Sequence, residues 1–277
     1  MVPKDRFEQL GIRAVAQAER QVKAWEQALH AGRYSQRRLD VPEEMQDMKL
    51  IGVLGGTSWP STIPPYRMLN EEVQRRLGPH HSARIALYSV DYAEIRASFS
   101  GDASRIPALL LAEIRTLLSF SPDCWMIANN TLHKFHAEIA HLIPPDPPMM
   151  HAITLVREHL LSRRVGRVLL LGTRFTMEDG YYHEPLEAAG IEVVIPEEPD
   201  REHIGAIQTR LADGEMDAAF APYFADLIKR AAANGCEAVI AGCSELPLVI
   251  TQDISTIPLI DPLQLQCMAC IDFALTP

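Results

Sequence analysis

The chain has 277 residues, 47% hydrophobic and 22% charged, enough for one large globular domain or two of ordinary size. Its net charge of −10, with no Lys/Arg-rich stripe, argues against a nucleic-acid partner. No apolar run approaches the roughly 18–20 residues that span a membrane, so no membrane partner is expected.

An N-terminal stretch charged throughout predicts no secretory leader. Five cysteines in no framework spacing predict reduced thiols and a cytoplasmic location.

Residues 1–47 read as a helical N-terminal extension. Leu10, Ala14, Ala18, Val22, Trp25 and Leu29 recur at helical spacing, and Gly32 follows as a stop. This helix either packs on the main body or crosses to a second subunit.

Met48 opens a different kind of sequence. Lys49 to Leu54 reads as a buried strand, running into the small-residue loop Gly55-Gly56-Thr57-Ser58 and then a helix from about Pro64 to Leu77. The loop offers backbone N–H groups and two hydroxyls, a cradle for a carboxylate or phosphate. It lacks the later glycines of a dinucleotide fingerprint and the Gly-Lys-Ser/Thr of a P-loop. A strand from Arg84 to Val90, a helix from about Ser104 to Ser119 and a strand from Cys124 to Ala128 follow. The last ends in Asn129-Asn130-Thr131, with His133-Lys134 opening a helix to about Leu142. The prolines from Pro144 to Pro148 mark a break.

The second half repeats the plan. Val165 to Leu171 is a strand ending at Gly172-Thr173. A helix from Gly180 to Ala189, a strand from Ile191 to Ile195 and helices over Arg201 to Asp213 and Met216 to Asn234 come next. An apolar strand then runs into Gly242-Cys243-Ser244-Glu245, and a strand at Pro258 to Asp261 precedes a helix from Pro262 to Ala274. The pattern predicts an α/β fold: two pseudo-symmetric αβα lobes with mainly parallel sheets and an interlobe cleft. The expected division is 48–149 plus 262–277 for the first lobe and 150–261 for the second.

Cys243 is the residue with the most chemical promise. It stands at a strand's carboxyl end, where open α/β sheets bind ligands, with Ser244 and Glu245 shaped like a helix start. A helix N-terminus there would lower the thiol pKa. The competing reading is a small side chain filling a tight turn.

Four segments together resemble the cofactor-independent aspartate/glutamate racemase family, in its enterobacterial-type branch. They are GGTSWPSTIPPYRMLN (Gly55 to Asn70), NTLHK (Asn130 to Lys134), LGTRFTM (Leu171 to Met177) and AGCSELPLVI (Ala241 to Ile250). The resemblance implies a homodimeric isomerase using no pyridoxal, no other cofactor and no metal. An acidic amino acid such as aspartate or glutamate, or a related dicarboxylic acid, would be held between the lobes. Two groups, usually cysteines, would remove and return its α-proton from opposite faces. Carried over by residue, Cys243 matches the second-lobe cysteine. Thr57, Ser58, Asn130, Thr131, Thr173 and Ser244 match carboxylate- or amine-binding positions, Thr131 is also a catalytic candidate beside the missing base though its hydroxyl is a poor base without activation, and Lys134 and Glu245 match charged positions at the edge of the site.

The departures matter as much. Asn129 stands where the first-lobe cysteine is expected, and a carboxamide has no proton to exchange at a useful pKa. Gln266 replaces a histidine, and Pro60 a glutamate. A chain with one thiol on one face also suits a single-cysteine decarboxylase, isomerase or lyase, or a non-catalytic carboxylate-binding protein. Cys267 and Cys270, a lone C-x-x-C with apolar flanks, are expected in the core, and His133, His136 and His141 in solvated or capping roles.

Overall fold

In a computed structural model of the protein, residues 48–276 are described. The helix expected over 1–47 lies outside the described residues.

The first half runs β1 (Ile51–Gly55), α1 (Trp59–Leu77), β2 (Ile85–Ser89), α2 (Ala93–Ser100), α3 (Ile106–Leu118), β3 (Cys124–Ile127) and α4 (Leu132–Ile139). The second runs α5 (Ala152–Ser162), β4 (Arg167–Gly172), α6 (Arg174–Glu178), α7 (Gly180–Glu187), β5 (Glu192–Val194), α8 (Glu198–Ala212), α9 (Phe220–Ala233), β6 (Ala238–Gly242), β7 (Leu259–Ile260) and α10 (Pro262–Ala274).

Two parallel sheets result, ordered β2-β1-β3 and β5-β4-β6-β7. Strands buried on both faces explain the near-continuous apolar runs of β1, β3, β4 and β6. Along β4, Val168 and Leu170 face α5 and α7, whereas Leu169 and Leu171 face α8 and α9. In the first sheet, Ile51 and Val53 pack with Leu69 of α1 and with Leu263, Cys267, Cys270 and Ile271 of α10. Leu54, Trp125 and Ile127 pack against α3 and α4 on the other side. The C-x-x-C pair is therefore core. The closing helix α10 follows β7 of the second sheet yet packs on the first.

The order β2-β1-β3 recurs as β5-β4-β6, with β7 added at the edge of the second sheet, and the register makes the correspondence residue by residue. Leu54 of β1 pairs with Ile127 of β3, and Leu171 of β4 pairs with Ala241 of β6. Counting on from these pairs, Asn129 and Cys243 are equivalent positions, as are Thr131 and Glu245.

Three readings are corrected. Helix α1 starts at Trp59, not near Pro64. Pro64 and Pro65 lack the N–H groups that a helix interior uses, yet the helix runs through both; at its start Ser61 Oγ and Thr62 Oγ1 each donate to Ser58 O at 3.0 Å. Helices α2 and α5 lie in stretches to which the sequence pattern assigned no element. The segment after Cys243 is a single 3-10 turn, Leu246–Leu248, containing Pro247, and not a helix with a strong positive end.

Candidate active site

The carboxyl ends of β1, β3, β4 and β6 converge on one cavity of about 610 Å³. Its first-half wall carries Thr57, Ser58, Asn129, Asn130 and Thr131; its second-half wall carries Thr173, Cys243, Ser244 and Glu245. The sequence-predicted site residues therefore come together, with one exception. Lys134 is engaged by Asp179, Nζ to Oδ2 at 2.7 Å, and lies over the Phe175 ring. It is not part of the cavity wall.

The floor is built by close backbone approach. Gly56 has φ +84°, and a Cβ there would stand 2.5 Å from the backbone N and O of Val90. Gly56 N–H donates to Thr62 Oγ1 at 2.9 Å, which holds the loop against the first turns of α1. On the other side, a Cβ on Gly242 would meet Leu171 O at 2.9 Å. Glycine at these two places lets the strand ends narrow toward each other.

Asn129 is fully employed in structure. Its Oδ1 accepts from Leu132 N–H at 2.9 Å, capping α4, and its Nδ2 donates to Thr57 Oγ1 at 3.1 Å. Its carbonyl is held by His133, whose Nδ1 lies 2.8 Å away, while Nε2 accepts from Ala152 N–H at 3.2 Å. One neutral tautomer, protonated on Nδ1, satisfies both bonds. Of the two roles expected for it, solvated or capping, His133 is not solvated: it is buried, its Nε2 meets the first N–H of α5, and burial together with the neighbouring His151 pushes its pKa down. Gln266 is likewise structural, donating from Nε2 to Met150 O at 2.7 Å.

Thr131 Oγ1 and Thr173 Oγ1 lie 3.1 Å apart and tie the two walls together. The chain continues from Thr173 to Thr176 and on to the Tyr181 hydroxyl. Two polar atoms on the wall, Ser58 Oγ and Asn130 Oδ1, are buried with no hydrogen-bond partner among the described residues. Such orphaned groups cost stability unless a ligand or water completes them.

Cys243 is 4% exposed. Its Sγ donates to Glu245 Oε2 at 2.7 Å and receives the Gln208 side-chain amide. Burial and the adjacent carboxylate push its pKa well above the ordinary thiol value. The expectation of a lowered pKa is thus reversed: no α-helix begins at this turn, and the nearest charge is negative.

The Asp/Glu/Hydantoin racemase family matches over residues 54–270. The chain belongs to that family. A Yersinia pestis protein assigned to the Asp/Glu racemases is 34% identical, with a TM-score of 0.72 over 83% of this chain and 100% of that one. An aspartate racemase homologue from Pyrococcus horikoshii is 29% identical, with a TM-score of 0.69 over 83% and 100%. The Picrophilus torridus aspartate racemase, at 22% identity and TM-score 0.68 over 82% and 94%, shares the fold.

Against this family background, two wall residues stand out that the sequence reading missed. Arg96 projects from α2 and makes no ion pair among the described residues. Gln208 comes from the middle of α8. Asp91-Tyr92 at a strand end was a usable hint toward α2, but nothing local to α8 distinguishes Gln208 from a surface glutamine.

Among the described residues no group of three or more His, Cys, Asp or Glu side chains is placed to hold a metal ion, and no helix is long and apolar enough to cross a membrane.

Proposed function

We propose that this protein acts on an acidic amino acid, aspartate or glutamate in size and charge, by removing and returning the α-proton with Cys243 and without a cofactor. The observation that carries the reading is the placement of the Cys243 thiol on a cavity wall with Ser58, Asn130 and Arg96. Arg96 suits the side-chain carboxylate. Ser58 Oγ suits the α-carboxylate, with the N–H groups at the start of α1 beside it. Asn130 Oδ1 suits the amine as an acceptor. Donors on the α-carboxylate stabilise the charge that develops there as the α-proton leaves.

Asn129 gives the second face no exchangeable proton. This favours a one-base course, in which the α-proton exchanges faster than the centre inverts. A single-cysteine decarboxylase, isomerase or lyase is the second reading favoured by the same substitution. Action as a homodimer belongs to this proposal as a family expectation.

The test is incubation of L- and D-aspartate and L- and D-glutamate with the protein in heavy water. NMR follows exchange and chiral chromatography follows inversion. Exchange of either amino acid, abolished by Cys243→Ser with binding retained, supports the reading. Absence of exchange in all four sinks it and leaves the lyase or a binding protein.

A further inference from the structure

We propose that the outward face of the first two turns of α1, with the edge strand β2 beside it, is the surface on which a second copy of this chain docks, the two α1 helices meeting antiparallel about a two-fold axis at Ile63. This gives the homodimer expected above a surface and rests on that expectation. It does not depend on how Cys243 moves a proton.

A helix lying on a sheet turns an apolar face inward and a polar face outward. Over its first two turns α1 departs from that rule. Ser61, Thr62, Pro65 and Leu69 point inward and are buried. The outward positions are Trp59, Pro60, Ile63, Pro64 and Tyr66, and not one of them is charged. Trp59 is 69% exposed, Ile63 54% and Tyr66 53%, and Leu87 of β2, 40% exposed, continues the surface. With Thr62 and Ser89 these side chains line a groove of about 340 Å³. Strand β2 pairs with β1 alone among the described residues, so the apolar face ends at an open sheet edge. The groove walls stand out into solvent, which fits the side chains of another protein surface and not an enclosed small molecule.

The occupant follows from the symmetry of the helix. Arg67 lies one turn after Ile63, as Trp59 lies one turn before it. With Ile63 on the axis, each Arg67 comes over the Trp59 ring of the other copy, and each Tyr66 meets the other's Pro60. Such reciprocal contacts are what a two-fold interface requires, and a guanidinium over an indole is the favourable kind. Arg67 is available for it: Glu71 stands 3.8 Å away, and the two side chains are 67% and 68% exposed. The four exposed apolar side chains offer on the order of 450 Å² per copy, more than half of the roughly 800 Å² that each partner buries in a standard interface. That area suits a reversible dimer. Trp59 also lines the active-site cavity beside Ser58, so the docked copy stands at the cavity mouth.

The test is sedimentation velocity on the full chain across about 1 to 100 µM. Wild type should pass from one chain to two as concentration rises. Ile63→Asp sets two carboxylates against each other on the axis and should raise the dissociation constant by about 100-fold or more. Arg67→Ala removes two ring contacts per dimer and should raise it about 5- to 30-fold. Both positions are exposed, so circular dichroism and the urea midpoint should match wild type. Ile63→Cys should give a disulfide-linked dimer on mild oxidation, the native cysteines being buried. Gln74→Cys, exposed three turns further along the same face, should stay a single chain.

A single chain at every concentration overturns the proposal. Slow alkylation of Ile63→Cys by a maleimide would then assign the groove to another part of this chain, and rapid alkylation would leave it to a different protein. A dimer that is unmoved by Ile63→Asp and unlinked in Ile63→Cys also overturns it, by placing the contact on another face. Exchange in heavy water by a single chain would strike this surface and leave the chemistry proposed above standing.

Discussion

Asn129 and Cys243 occupy equivalent positions just beyond the corresponding strands β3 and β6 of the two sheets. Equivalence of place has not brought equivalence of chemistry. The carboxamide spends its oxygen on Leu132 N–H and its nitrogen on Thr57, while the thiol is left between an acceptor and a donor. On the reading proposed above, the first half supplies the shape of the site and the second half its one thiol.

Asn129→Cys should therefore restore a proton donor on the first-half face. Inversion of the preferred amino acid, followed by chiral chromatography, should rise by about 100-fold relative to wild type, within the range that one added acid–base group supplies. The substitution also removes the cap on α4, so the variant should be less stable by about 1 kcal/mol, readable as a lower urea midpoint. An unchanged inversion rate would show that the face lacks more than a thiol.

Arg96 has no competing carboxylate partner among the described residues, so its removal should be felt mainly in binding. Arg96→Met should raise KM for the acidic amino acid by about 10- to 100-fold, as expected for one lost charge-assisted bond of about 1.5–3 kcal/mol, with kcat changed much less. Equal losses in kcat and kcat/KM would instead place the guanidinium on the transition state.

The strands were legible because parallel strands buried on both faces leave unbroken apolar runs, as at Val168 to Leu171 and Ala238 to Ala241. The polar residues at their ends, Thr57, Asn130 and Ser244, were legible for the same reason: strand ends and their loops are where the fold opens. What escaped notice is what packing alone decides. Helix α2 is eight residues long with two buried side chains, too little for a period to emerge. Gln208 acquires its meaning from the way α8 lies against the β6 loop. The ionisation of Cys243 reversed for a related reason: the following segment is one 3-10 turn, and Glu245 folds back onto the sulfur.

His133, His136 and His151 all have pKa values pushed down, chiefly by burial, and His151 falls to about 4. Between the ordinary value of 6.5 and that level, the unfolded chain binds protons that the folded chain refuses. Their contribution is thus present above about pH 6.5 and is lost as pH falls toward 4. Partial exposure of His151 trims its share to about 1–2 kcal/mol. His151→Asn should flatten the fall in urea midpoint between pH 7 and pH 5. His133→Ala should cost about 2–4 kcal/mol even at pH 7, since it unties Asn129 O and Ala152 N–H together.

Asp261 carries the opposite sign. It caps α10 by accepting from Leu263 N–H at 2.9 Å, and burial raises its pKa to about 6. A carboxyl whose folded pKa lies above its unfolded value stabilises most below the unfolded value, and that contribution is lost as pH rises through about 6. At pH 7 the protein therefore holds an ionised group that its surroundings disfavour. Asp261→Asn keeps an oxygen at the cap and removes the charge. It should raise stability at pH 7 by about 1–2 kcal/mol, after screening at this partly exposed position, with the gain vanishing below about pH 4. Urea unfolding of both proteins at pH 4 and 7 measures the difference directly. A loss of stability at pH 7 would mean that the charged cap on α10 outweighs the desolvation of the carboxylate.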